Sequence, residues 1–242
     1  MKTDAQIVGV LGGMGPRASS EFLRTIYEFS CYSHEQEAPR VILISDPTYP
    51  DRTEALLQGK SDLLLERLAA DLAKLGQAGS RSIIICCFTI HYLLPQMPER
   101  LRSQVVSLVD VALERTIAAN RRQLLLCSTG TRKLGILERH PLWPPAADLI
   151  VVPDRRDQDS IHDLIYRLKR SDCTDQMIRE VDTLLARYHV DSFLAGCTEI
   201  HLLIREADRR GFFQGERFYL DPLVILAEAI ARGTLQPPLE TS

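Results

Sequence analysis

No apolar run in this 242-residue chain approaches the ~20 residues that carry a helix across a bilayer, which argues against a helical membrane protein. Excess charge is equally scarce. The 29 Lys and Arg against 32 Asp and Glu leave a net charge of −3, too little to draw nucleic acid or an anionic membrane. The short basic pairs Arg121-Arg122 and Arg209-Arg210 have acids nearby and read as solvated helix faces. The six cysteines, Cys31, Cys86, Cys87, Cys127, Cys173 and Cys197, are too sparse for a secreted disulfide scaffold, so most are expected to be reduced. Met1 to Gln6 runs straight into a glycine-punctuated strand with no small-residue cleavage site, which argues against a signal peptide and for the cytoplasm. A low-complexity linker is missing too. Neither the dinucleotide fingerprint nor the P-loop spacing occurs. What remains is 45% hydrophobic and 25% charged, ordinary for a globular protein long enough for one large or two smaller domains.

Short apolar runs alternate with longer stretches of helical spacing, the pattern of βαβ units and a parallel sheet. Strands are expected at 6–11, 41–45, 82–86 and 105–109 in a first half. In a second half they are expected at 123–127, 149–152, 190–195 and 217–220. Gly12-Gly13-Met14-Gly15-Pro16 follows the first strand, with a helix expected from about Ser19, and Asp46 to Asp51 turns the chain after the second. Helices are expected at 61–75, closed by Gly76 and Gly79, and at 160–170, 175–188 and 222–232. The polar loop Ser128-Thr129-Gly130-Thr131 stands in the second half where the first has its glycines. The resulting division is 1–115 plus 222–242 as one α/β domain and 116–221 as the other, the last helix crossing back to the first. The tail from Gln236 is expected to fray.

One phrase occurs twice. Cys87-Phe88-Thr89-Ile90-His91 follows the third strand of the first half, and Cys197-Thr198-Glu199-Ile200-His201 follows its counterpart in the second. The cysteines lie 110 positions apart, and Asp110 and Asp221, expected to end the fourth strands, lie 111 apart. Ligands of open parallel sheets bind outside the carboxyl ends of the strands, where both thiols fall. A thiol of ordinary pKa ~8.5 is mostly protonated at neutral pH, and a helix N-terminus beside it favours the thiolate. Two such thiols facing each other suit proton removal from one face of a carbon and proton delivery to the other. The glycine loop offers backbone N–H groups to an anion such as a carboxylate. Cys31, Cys86, Cys127 and Cys173 read as packing or bystander thiols. His91 and His201 read as core or capping histidines, with a Cys/His zinc site as the lesser alternative. Arg52 and Lys169, taken alone, are compatible with ordinary surface cations.

The ordered set Gly12-Gly13-Met14-Gly15-Pro16, Pro50-Asp51-Arg52-Thr53, Cys87-Phe88-Thr89-Ile90-His91 and Gly196-Cys197-Thr198-Glu199-Ile200 resembles the cofactor-independent aspartate/glutamate racemase superfamily, and within it the aspartate racemase branch. The resemblance covers essentially the whole chain. It implies two pseudo-symmetric α/β domains with the site in the cleft between them, and Cys87 and Cys197 as the two acid/base thiols. It implies Arg52 and Lys169 as anchors for the side-chain carboxylate of an acidic amino acid. Thr89, Thr131 and Thr198 fall where family members hold the α-carboxylate and amino group, and Gly13, Met14 and Glu199 complete the expected substrate contacts. It further implies a homodimer that uses neither pyridoxal phosphate nor metal.

The chain departs from that pattern at Phe88, where the family usually has asparagine, and at Ile90, where it usually has alanine. Phenylalanine offers neither the donor nor the acceptor of an amide, and one lost buried hydrogen bond costs about 1–3 kcal/mol. The expected activity is interconversion of L- and D-aspartate, or a related acidic amino acid. The alternatives are a diacid decarboxylase or isomerase of the same fold, or a non-catalytic protein that binds an acidic metabolite.

Overall fold

A computed structural model of the protein describes residues 6–212 and 218–235. The expectations for Met1 to Ala5, for Arg217 and for the tail from Gln236 lie outside the described residues. The chain divides into two compact units, Met1–Leu108 with Leu223–Ser242, and Val109–Pro222. Among the described residues no helix is long and apolar enough to cross a membrane.

The first unit holds a four-stranded sheet of β1 (Ile7–Gly12), β2 (Arg40–Ser45), β3 (Ser80–Ile85) and β4 (Val105–Val106), in the order β2-β1-β3-β4. The second holds β5 (Gln123–Cys127), β6 (Ile150–Val151), β7 (Ser192–Gly196) and β8 (Phe218–Leu220), in the order β6-β5-β7-β8. All six pairings are parallel. The inner strands read as unbroken buried runs, such as Ile83-Ile84-Ile85 and Leu124-Leu125-Leu126. Helices on the faces of a parallel sheet leave no solvated side to alternate with, which explains those runs. In each unit the chain steps outward from the first strand to the second, then returns to the other side for the third. The break between first and third strands is the topological switch point, the place where open α/β sheets bind their ligands.

Local chemistry sets the helix ends. The first helix, Pro16–Phe29, starts three residues before the expected Ser19 because proline fits the first helical position, where its missing N–H is not needed. Asp51 caps Arg52–Leu57 by accepting from the Glu54 N–H, and Asp154 caps Arg155–Arg170 by accepting from Asp157. The 160–170 helix thus begins five residues earlier than its apolar spacing indicated. One strand expectation is corrected. β4 ends at Val106, and a helix starts at Leu108, so Asp110 lies in a first helical turn.

Strand register shows which residues are true counterparts. With Cys87 placed on Cys197, Ile84 falls on Leu194, and their partners Val106 and Leu220 coincide. Asp221 therefore corresponds to Ser107, and the 111-residue offset to Asp110 was a coincidence. The same comparison places two bystander thiols. In the first unit Gly12 lies beside Cys86, whose N–H donates to the Leu11 carbonyl at 2.8 Å. In the second unit Cys127 pairs with Gly196. Each switch point has one glycine and one cysteine in the same layer, on exchanged strands. A Cβ on Gly196 would sit 2.8 Å from Cys127 Cβ, so the layer admits one side chain at this point.

Candidate active site

In the first unit the site residues gather at the carboxyl ends of β1, β2 and β3. Gly13 has φ +88°, and a Cβ there would lie 2.3 Å from the backbone of Asp46. Only glycine allows the loop after β1 to press against the chain leaving β2. Arg52 fixes the same contact from the other side. Its Nη2 donates to the Met14 carbonyl at 2.5 Å, and Nη1 donates to the carbonyls of Pro50 (2.9 Å) and Tyr49 (3.4 Å). Arg52 is buried, so it is no ordinary surface cation: its guanidinium ties two loops together. Gly13, Met14 and Arg52 thus form one constellation.

Cys87 follows β3 and is buried, and Thr89 opens a 3₁₀ helix, Thr89–Gln96. Phe88 is 1% exposed, with its ring 6.1 Å from that of His91. It therefore belongs to the packed interior of this unit. His91 Nδ1 lies 2.9 Å from the Cys87 carbonyl, and Nε2 accepts from the Leu108 N–H at 3.1 Å. Those partners place the proton on Nδ1 and make His91 a strut between the cysteine turn and the chain leaving β4.

The second unit repeats the plan with different atoms. Ser128 Oγ accepts from the Thr131 N–H and lies near Thr131 Oγ1, both at 3.1 Å. Hydroxyl chemistry shapes the loop after β5 where glycines shape the loop after β1. His201 is fully buried, with Nδ1 2.6 Å from Asp221 Oδ2. At the place of Leu108 this unit has Pro222, which lacks an N–H, and the preceding aspartate supplies the histidine's partner instead. Both histidines are core struts, as expected.

Cys197 carries the clearest electrostatics. Its Sγ donates to Glu199 Oε2 at 2.9 Å, and Thr198 Oγ1 lies 3.5 Å from the same oxygen. All three residues are buried. Burial first, and the Glu199 carboxylate second, push the thiol well above its ordinary pKa, while Lys169 opposes the rise. The expected pull of a helix N-terminus toward the thiolate is opposed here. Desolvation and an adjacent negative charge outweigh the helix end, so Cys197 rests as a protonated donor. Glu199 Oε1 is buried and has no hydrogen-bond partner among the described residues.

The long helix Arg155–Arg170 supplies side chains that the sequence pattern did not single out. Gln158 Nε2 donates to the Cys127 carbonyl at 2.8 Å, and His162 Nδ1 accepts from the Thr129 N–H at 3.3 Å. The His162 ring lies 4.4 Å from that of Tyr166, and Lys169 Nζ sits 4.0 Å from the Tyr166 ring centroid. A second signal was available and missed. Pro153-Asp154-Arg155 repeats Pro50-Asp51-Arg52, and both aspartates are helix caps. The second arginine is exposed, in an open groove with Arg156, Asp159, Asp163, Arg167 and Glu180 that contains none of the expected site residues. Among the described residues no group of three or more His, Cys, Asp or Glu is placed to hold a metal ion.

A repeated doubly wound α/β unit with a buried thiol at each switch point defines a narrow class of protein. The sequence model of the Asp/Glu/hydantoin racemase family matches residues 11–230, and the chain belongs to that family. Its structure is similar to that of the Picrophilus torridus aspartate racemase, with a TM-score of 0.77 at 24% identity over 95% of this chain and 94% of that one. An aspartate racemase homologue from Pyrococcus horikoshii OT3 gives 0.62 at 18% identity, covering 95% and 99%. Glutamate racemase from Campylobacter jejuni subsp. jejuni gives 0.62 at 17%, covering 96% and 88%. At these identities the likeness establishes the shared fold.

Proposed function

We propose that the protein is a cofactor-independent racemase of aspartate or a related acidic amino acid, working by two-base proton transfer between Cys87 and Cys197. The observation that carries this reading is the equivalent placement of the two thiols, one after the third strand of each sheet, within a chain of the racemase family. Cys197 starts as the acid: its thiol delivers a proton to one face of the Cα carbanion while Cys87, as the base, removes the proton from the other. The reverse direction starts from the form this step leaves, with the proton on Cys87 and Cys197 as base, and Glu199 Oε2, 2.9 Å from Sγ, sets how firmly Cys197 holds its proton. The buried Glu199 Oε1 suits an N–H of the substrate ammonium. Thr89, Thr131 and Thr198 hold the α-carboxylate and amino group. Backbone N–H groups near Gly13, with Met14 beside them, stabilise the charge that develops on the carboxylate. Arg52 and Lys169 receive the distal carboxylate.

The resemblance also supports a homodimer, which sedimentation checks. Chiral chromatography of L-aspartate incubated with the metal-free, pyridoxal-free protein tests the activity. Formation of D-aspartate supports it. No interconversion of aspartate, glutamate or a wider amino-acid panel contradicts it. Phe88, buried where an amide is usual, favours a second reading: a one-thiol decarboxylase or isomerase of small diacids, marked by CO₂ release or by a cis–trans product.

A further inference from the structure

Four side chains form one stripe on the Arg155–Arg170 helix: Gln158, His162, Tyr166 and Lys169, spaced four, four and three residues apart. Gln158 grips the last carbonyl of β5, and His162 grips the loop that presents Thr131. Tyr166 contacts both the His162 ring and the Lys169 ammonium. We infer that His162 is a positioning residue of the second half-site. Its Nδ1 fixes the Thr129–Thr131 loop, and its ring supports the Tyr166 face on which Lys169 rests, so one imidazole sets both anchors of the substrate. This rests on the reading of Lys169 as the anchor of the distal carboxylate. An acceptor bond to a backbone N–H requires the Nδ1 lone pair, so His162 serves with its proton on Nε2. A cation over an aromatic face is held in direction as well as distance, so the Tyr166 ring, braced by the tilted His162 ring at 4.4 Å, decides where the ammonium points. Residues that only pack the helix would not split the two anchors.

Two substitutions separate the two functions. His162→Phe keeps the ring and removes the acceptor. His162→Asn keeps an acceptor near Nδ1 and removes the ring. The assays are Cα–deuterium exchange with aspartate and with asparagine, and the pH dependence of Cys197 modification by iodoacetamide, resolved by peptide mass spectrometry. Lys169→Gln serves as reference for a lost ammonium. His162→Asn is expected to raise KM for aspartate roughly two- to fivefold, the span of a partly exposed cation–π contact, with the asparagine rate unchanged. Its Cys197 modification curve moves to higher pH, toward that of Lys169→Gln. His162→Phe is expected to weaken both substrates alike and to leave that curve in place. The inference is overturned when the wild type exchanges and both variants match it, or when they lower kcat for both substrates without a KM difference. A wild type inert toward both substrates instead counts against the racemase reading, and the modification curves still decide whether His162 positions Lys169.

Discussion

Replacing Glu199 by glutamine removes one negative charge beside Cys197 while keeping an oxygen that the thiol can reach. At about 4 Å and an effective dielectric of 20, two unit charges interact by about 4 kcal/mol. The pair is buried, with Cys197 6% and Glu199 2% exposed, so bulk water does little to screen it. A third of that energy already multiplies the thiolate fraction of Cys197 about tenfold. Burial remains in the variant and still holds the thiol above its ordinary pKa. Glu199→Gln is therefore expected to speed iodoacetamide modification of Cys197 at least about tenfold at pH 8. It is also expected to slow the direction of racemisation in which Cys197 delivers the proton, because a larger share of the thiol has already lost it. Initial rates from the two enantiomers should then lose amplitude unequally in kcat. Modification that slows or stays constant would refute the electrostatic argument, and equal loss in both directions would refute the assignment of Glu199 as the group that keeps Cys197 protonated.

Three further outcomes follow from the packing. Gly13→Ala meets both a positive φ and the Asp46 backbone, so it should cost about 3 kcal/mol or more, read as a fall in the urea midpoint. Gly196→Ala collides with Cys127 Cβ and should cost about 1–3 kcal/mol. Cys127→Gly added to it should recover part of the loss, so the double-mutant cycle shows a favourable coupling; additive losses would contradict the shared space. Cys127, its thiol pushed up to about 12 by burial, should stay unmodified by iodoacetamide at pH 9 in the folded protein, while exposed Cys31 reacts first.

The parallel strands were legible because Ile83-Ile84-Ile85 and Leu124-Leu125-Leu126 are continuous apolar runs, and a buried parallel strand has no other signature. Cys87 and Cys197 were legible as a pair because the phrase around them repeats at the ends of such runs. Asp110 misled because its spacing resembled a repeat, whereas strand register pairs Asp221 with Ser107. The acidity of Cys197 misled for another reason. A helix end is visible in sequence, but the depth of burial and the direction of the Glu199 carboxylate are products of packing. His162 and Gln158 were invisible because their partners are backbone groups of the β5 loop, 33 and 31 residues away, and a backbone N–H or carbonyl leaves no mark in the residue alphabet. Arg52 was found for its motif, and its tie to the Met14 carbonyl 38 residues away emerged only from the fold.

The most direct test of two-thiol catalysis is Cα–deuterium incorporation from each aspartate enantiomer in D₂O, comparing the wild type with Cys87→Ala and Cys197→Ala. The wild type should exchange both enantiomers. Each variant should lose racemisation, with at most one-sided exchange of the enantiomer whose Cα proton faces the surviving thiol. Racemisation that persists without Cys87 or without Cys197 would contradict the account.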